Sequence, residues 1–466
     1  MLVEVKTRPS LIQHNWADAY LAPISPAPEA GVTTHDLQES SSTAHAYVNP
    51  THNQHTTLQV WTGDKICKMD DPPESSVQVI RATTTLGGLF HLNIPAFTQY
   101  RINDADNDFR SDTVTSPTAS MLQAMISSAV GDDVYNEDET TTSLEKHVAD
   151  LLGHEAGLFV PSGTAGNQIA IRVHLTQPPH SVLCHARSHI NQYEAGGVAT
   201  LSQAMIQPII PSKGPNLTLE DVKREAILSD DIHFAPTRVI ALENTYGGTI
   251  LPLKEVQRIS EFARSNDIRI HCDGARLWNA VAAGAGSFRE YGAAFDSISL
   301  CFSKGIGAPV GSVLVGSKSF IDRARWVRKS IGGGMRQTGV IAGAARVALD
   351  EVFPKLAATH EIAQDIEKHL HSLGLKTVLP VETNMIFIDL EAGGLDNDWL
   401  VEEAKSAGLR LGYGGRIVIH HQISPEAVQK LKEVLSKVVE KKTAGVYAGA
   451  IQVQTSGGTY GKPKRT

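Results

Sequence analysis

The sequence predicts an α/β fold: a large domain around a buried, mostly parallel sheet, followed by a small α+β domain. Three observations lead there. From Asp108 onward, short apolar runs alternate with segments of helical period, as in strand–helix–strand units. Glycine-rich or polar loops follow several of these runs directly. The 466 residues are 41% hydrophobic and 20% charged, an ordinary globular composition.

The elements follow in chain order. Residues 1–105 contain "APISPAPEAG" and "QESSSTAHAYVNPTHNQHTT", too polar and aperiodic to offset the entropy of ordering. They read as a low-complexity, disordered extension, with a short strand near Val77–Ile80 allowed. Residues 106–353 form the large domain. Its first helix has Ser116 as N-cap and Pro117 at the first helical position, with Met121, Leu122, Met125, Ile126 and Ala129 on one face. The next helix carries a Thr142/Glu145 capping box, a stripe of Leu144, Val148, Leu151 and Leu152, and Gly153 as its end. Strands are expected at 157–160, 181–184, 238–242, 268–272, 297–302 and 311–316. An amphipathic helix lies at "LKEVQRISEFARSN". Residues 354–441 offer helix, strand, helix, strand and helix, a small α+β domain. Residues 442–466 read as a loose tail.

Charge and composition narrow the function. A net charge of −8 argues against a nucleic-acid surface. No apolar stretch of about 18 residues is present to span a membrane. Cys67, Cys184, Cys272 and Cys301 are scattered with no CxxC pair, which fits a reducing compartment and gives no metal site. The N-terminal segment lacks a signal-peptide core and carries Glu4 and Asp18, so the expected location is cytoplasmic.

In a parallel sheet, ligands bind beyond the carboxyl ends of the strands. After "GLFV" comes "PSGTAGNQ": free backbone N–H groups and the positive helix end suit a phosphate, with Gly163 allowing close approach and Thr164 adding a hydroxyl. After "IRIHC" comes "DGAR", with Asp273 at the strand end. After "SISLCF" comes "SKGIGAPVG". Lys304 there is placed to form a Schiff base, since desolvation frees its amine as a nucleophile. Each has a plainer reading alone: a strand–helix turn, a helix cap, a solvated lysine. Their order matches what pyridoxal phosphate needs: an anchored phosphate, a carboxylate at the ring nitrogen and a lysine for the aldehyde.

From Phe109 to Lys441 the chain resembles the low-specificity L-threonine aldolases, in particular fungal members. The runs that carry the likeness are "FRSDTVTSPT", "VGDDVY", "PSGTAGNQ", "SHINQYEAGG", "ALENTYGG", "HCDGARLWNA", "CFSKGIGAPVGSVLVG" and "RKSIGGGMRQTG". The resemblance implies a PLP-dependent enzyme of fold type I, the aspartate-aminotransferase architecture. It implies Lys304 as the cofactor lysine, Asp273 at the pyridine nitrogen, Arg276 near the phenolic oxygen, and Gly163 and Thr164 at the phosphate. It implies His189 as the residue stacked on the ring and a candidate base, with Ser111 and Arg416 on the substrate carboxylate. Lys329, Arg336 and Tyr135 are implied near the site, partly from a neighbouring subunit. One departure stands out: "ENTYGG" puts Tyr246 where well-known bacterial relatives have a histidine facing the substrate hydroxyl.

The implied reaction is retro-aldol cleavage of L-threonine or L-allo-threonine to glycine and acetaldehyde. The implied assembly is a homotetramer with interfacial active sites, acting on a small amino acid. The family's fungal members also include alanine racemases serving nonribosomal peptide synthesis, which break Cα–H instead of Cα–Cβ. The altered "ENTYGG" keeps that alternative open. A third reading is a protein that keeps the fold for binding alone.

Overall fold

The computed structural model describes residues 105–446 and five short strands nearer the N-terminus. The chain divides into two units, 1–98 and 99–466. In the first, β1 (Ala46–Tyr47), β2 (Gln59–Thr62) and β3 (Lys65–Cys67) pair antiparallel, as do β4 (Ala82–Thr84) and β5 (Phe90–Leu92). Most of the expected disordered extension, including Val77–Ile80, lies outside the described residues, as does the tail beyond 446.

The second unit is built on seven strands: β6 (Ala156–Val160), β7 (Ser181–His185), β8 (Met205–Ile209), β9 (Thr237–Glu243), β10 (Arg269–Gly274), β11 (Ser297–Cys301) and β12 (Ser312–Gly316). Their order is β6-β12-β11-β10-β9-β7-β8. Only β12 runs antiparallel to its neighbours, so the mostly parallel sheet is as expected. The expected strands each appear. β8 does not stand out in the sequence: "MIQPI" is an edge strand whose Pro208 has no N–H, a residue tolerated only at an edge.

Two helix starts differ from expectation. The first helix spans Ala119–Ser127 and is capped by Thr118, whose hydroxyl accepts from the Met121 N–H. Ser116 is buried instead, its backbone held at both ends by the Gln422 carboxamide. Ile126 is exposed while Met121 is fully buried, because the helix presents a narrower face to the core. The second helix spans Glu139–Leu152 and is capped by Asp138, not by a Thr142/Glu145 box. Glu145 is buried, accepting from the Phe159 N–H and pairing with Arg325. Gly153 ends this helix at φ +74°, as expected.

The main core lies on one face of the sheet and includes Trp278 in edge-to-face contact with Phe302 and Phe288, while two smaller clusters cover the other face. Trp278 Nε1–H donates to the Cys301 carbonyl at 2.9 Å, pinning the end of β11. The loop after β11 then folds back: Gly307 N–H donates to Lys304 O, Ala308 N–H to Phe302 O, and Phe302 N–H to Gly311 O. At Gly311 φ is +114° and a Cβ would lie 2.3 Å from the Phe159 ring, so only glycine fits. The glycines of "SKGIGAPVG" therefore close a tight loop that presents Lys304.

The second core gathers helices Leu356–Ser372, Asn397–Ser406 and Pro425–Thr443 on the pair β13 (Met385–Phe387) and β14 (Arg416–Val418). Phe109 belongs to this cluster. Its N–H donates to Arg410 O and its carbonyl accepts from Val418 N–H. The segment carrying Ser111 and Asp112 is thus anchored in this second core.

Candidate active site

Loops leaving β6, β7, β9, β10 and β11 emerge at one end of the sheet, and the predicted residues meet there. In register, Asp273 of β10 lies opposite Glu243 of β9 and Ser299 of β11.

Past β6, Ser162 caps helix Gly163–His174 by accepting from the Ala165 N–H at 3.1 Å. Among the described residues the N–H groups of Gly163 and Thr164 have no partner, as first-turn donors lack one within the helix. A Cβ at Gly163 would meet only Ser312 Oγ, at 3.8 Å. Nothing in the chain demands glycine there, and the open space over two free donors at a helix N-terminus suits an anion.

Asp273 is buried. Its Oδ1 accepts from the Ala275 N–H at 3.0 Å and its Oδ2 from Asn167 Nδ2 at 2.8 Å. Asn167 also donates to Glu194 Oε1 at 2.9 Å. Glu194 in turn holds His189 Nδ1 at 2.7 Å and accepts from Gln168. Burial pushes the His189 imidazole down, but the Glu194 hydrogen bond and the Asp273 charge outweigh it and raise its pKa. Glu243 is buried beside Asp273. Its desolvation and the Asp273 charge push its carboxyl well above the usual range, while the carboxylate accepts the His189 backbone N–H at 3.0 Å.

Lys304 is half-buried and, among the described residues, its amine has no hydrogen bond or ion pair. It lies near Asp112, Glu243 and His189, whose titration feels its charge. A Cβ on neighbouring Gly305 would stand 3.6 Å from Asp112 Oδ2. Asp112 grips Arg276 with two hydrogen bonds, 2.8 Å to Nε and 2.6 Å to Nη2. Burial raises the Asp112 carboxyl, but Arg276, Arg416 and Lys304 overcome it and hold it well below the usual range. Arg416 is buried on β14. Ser111, next to Asp112, accepts from the Thr113 N–H and hydroxyl.

Tyr246, after β9, packs against His185 with ring centroids 4.4 Å apart and planes tilted by 39°, and its titration feels the Arg187 charge. It lines a cavity of about 20 Å³ with His185 and Glu243. Tyr135, Lys329 and Arg336 make none of these contacts. Tyr135 is 70% exposed. Arg336 pairs with Asp132 at 2.7 Å, joining the Tyr135 segment to the loop after Lys329.

Residues 108–392 match the description of the beta-eliminating lyases. The chain belongs to that family. Proteins similar to it include aldolase vrtJ of Penicillium aethiopicum, 51% identical over 71% of this chain and 86% of that one. The low-specificity L-threonine aldolase of Eremothecium gossypii is 48% identical over 72% and 88%. Alanine racemase TOXG of Cochliobolus carbonum is 42% identical over 72% and 87%. Among solved structures, the Leishmania major threonine aldolase superposes with a TM-score of 0.62, at 20% identity, over 71% of this chain and all but 1% of that one. That likeness gives the fold, the fold type I expected.

The sequence pattern alone did not single out Asp112, Asn167, Glu194, Glu243 or His271. Two had a signal. Glu243 directly follows an apolar run, and His271 shares a strand face with Asp273 by the two-residue period.

Proposed function

We propose that this beta-eliminating lyase binds pyridoxal phosphate and cleaves L-threonine or L-allo-threonine to glycine and acetaldehyde. The observation that carries the reading is the Lys304 amine, without a hydrogen bond or ion pair among the described residues, beside His189 and Glu243, which also feel the buried Asp273 carboxylate, at the sheet end where a helix N-terminus offers free donors. When bound, the cofactor supplies an electrophilic aldehyde and, with its ring nitrogen protonated, a sink for electrons released at the substrate's Cα.

The chain's own residues do the rest. Lys304 offers the amine that holds the cofactor. Gly163 and Thr164 donate backbone N–H groups to its phosphate. Asp273 would accept the ring N–H. Arg276, locked in place by Asp112, would supply its guanidinium to the ring oxygen. The Arg416 guanidinium and the Ser111 hydroxyl take the substrate carboxylate, a planar fork against a planar anion. Glu194 holds the His189 Nδ1–H, leaving Nε2 to take the β-hydroxyl proton as Cα–Cβ breaks. Tyr246 sits at the β9 exit, from which its hydroxyl governs the side-chain end of the substrate.

The test is incubation of PLP-loaded protein with each threonine diastereomer, scoring acetaldehyde and glycine. Release of neither overturns the reading. The likeness to alanine racemase TOXG and the tyrosine at 246 favour a second reading, racemisation of alanine. D-alanine formed from L-alanine, without acetaldehyde from threonine, decides for it.

We also propose a homo-oligomer with active sites completed at subunit contacts. Ile126, Val130, Tyr135, Ile331 and Val340 are exposed on adjoining segments that also carry Lys329 and Arg336. The proposed location is cytoplasmic. No described helix is long and apolar enough to cross a membrane.

A further inference from the structure

Beneath Asp273 a line of polar side chains runs between one face of the sheet and helix Gly163–His174. Asn167 Oδ1 lies 3.1 Å from His271 Nε2, His271 Nδ1 lies 2.8 Å from Ser297 Oγ, and Ser297 Oγ lies 2.7 Å from His174 Nε2. Asn167, His271 and Ser297 are buried, and His174 forms part of the wall of a cavity of about 700 Å³ at the amino ends of the strands.

The proton positions follow from the partners. Asn167 has two carboxylates on one side, Asp273 and Glu194, so its NH2 must face them and its oxygen must face His271. That oxygen needs a donor, which places the His271 proton on Nε2. Burial pushes the His271 imidazole down to about 4, so at neutral pH it carries one proton. Its Nδ1 is therefore bare and accepts from the Ser297 hydroxyl. The Ser297 oxygen then accepts from His174 Nε2–H. A proton on His271 Nδ1 instead would leave the Asn167 oxygen unpaired or turn it against two carboxylates.

We propose that His271 and Ser297 are positioning residues: they orient Asn167, and one amide thereby sets both Asp273 as an acceptor for the cofactor nitrogen and Glu194 as the anchor of His189. This rests on the reading that pyridoxal phosphate lies against Asp273. The charged groups that feel Asp273 are His189 and Glu243, and the Asn167 NH2 donates to Asp273 and Glu194 together, holding the two carboxylates on one amide.

Two measurements test it. The first is ¹⁵N NMR of the histidines in the cofactor-free protein. His271 and His174 must both be Nε2-protonated tautomers, and an Nδ1-protonated His271 overturns the relay. The second compares Ser297→Ala, Ser297→Thr and His174→Gln in the PLP-loaded protein. Losing the hydroxyl should lower kcat about tenfold, as support for a site ligand typically does, with KM nearly unchanged. It should also shift the pH midpoint of the cofactor absorbance. Ser297→Thr should restore both. His174→Gln should have a milder effect, since its amide or water from the cavity can donate to Ser297. An alanine variant that only melts earlier, with kcat and the absorbance titration unmoved, overturns the proposal. Wild-type protein that binds no pyridoxal phosphate overturns the cofactor reading instead, while the tautomer measurement still decides the relay.

Discussion

Replacing Asp112 with asparagine removes one charge from the floor of the site and keeps its shape. The Asp112 side chain is 0% exposed and that of Arg276 12%. Two hydrogen bonds of 2.8 and 2.6 Å join them. Breaking a buried pair by neutralising one partner costs about 3–5 kcal/mol, because the other charge stays buried. Asparagine keeps one acceptor, which restores about 1 kcal/mol, and turns an NH2 toward a guanidinium donor. The net expectation is a loss of about 2–4 kcal/mol. By calorimetry of the cofactor-free protein this is a melting point lower by roughly 3–6 °C at pH 7. The pH dependence has a definite sign. The folded pKa of Asp112 lies below the unfolded value of about 3.9, so its contribution is complete above that pH and declines as pH falls toward the folded value. The gap between wild type and variant should hold at neutral pH and narrow below about pH 4. Adding Arg276→Gln to Asp112→Asn should recover part of the loss, since no charge is then left alone. Equal melting at pH 7, or a gap unchanged into acid, would refute the argument that charge pairing holds this floor.

Further outcomes are expected elsewhere. His189→Asn should lower kcat by about 10²–10⁴-fold, the usual contribution of a positioned base, while cofactor absorbance is retained; steady-state kinetics on L-threonine reads it. Arg416→Ala should lower kcat/KM about a hundredfold or more, as loss of one partner of a buried charged hydrogen bond does, mainly through KM; Arg416→Lys should recover only part, lacking the fork. Gly292→Ala should destabilise by about 2 kcal/mol or more in urea unfolding, since its Cβ would lie 1.8 Å from the Leu152 carbonyl oxygen and backbone must move.

Much of the fold was legible because local rules and tertiary structure agree. Buried strands read as apolar runs, and the helix over Leu253–Ser265 reads from its period. The failures have physical causes. Ser116 looked like a cap until Gln422, 306 residues away, took its backbone groups. Glu145 looked like half of a capping box, but Arg325 and the Phe159 N–H draw it into the core. In the site, Lys304, Asp273 and the "SGT" loop announce themselves because each stands where a strand ends. Asn167 and Asp112 do not. Their meaning lies in partners 106 and 164 residues distant, Asp273 and Arg276, and only packing brings those together. Tyr135, Lys329 and Arg336, carried over by resemblance, are exposed and make none of the contacts described for the site.

The most direct measurement is chemical fixation of the cofactor. PLP-loaded protein is reduced with borohydride, digested, and its peptides weighed. The account predicts a pyridoxyl mass on the peptide containing Lys304 and its loss in Lys304→Arg. A label on another lysine, or none in protein that has taken up the cofactor, would contradict it.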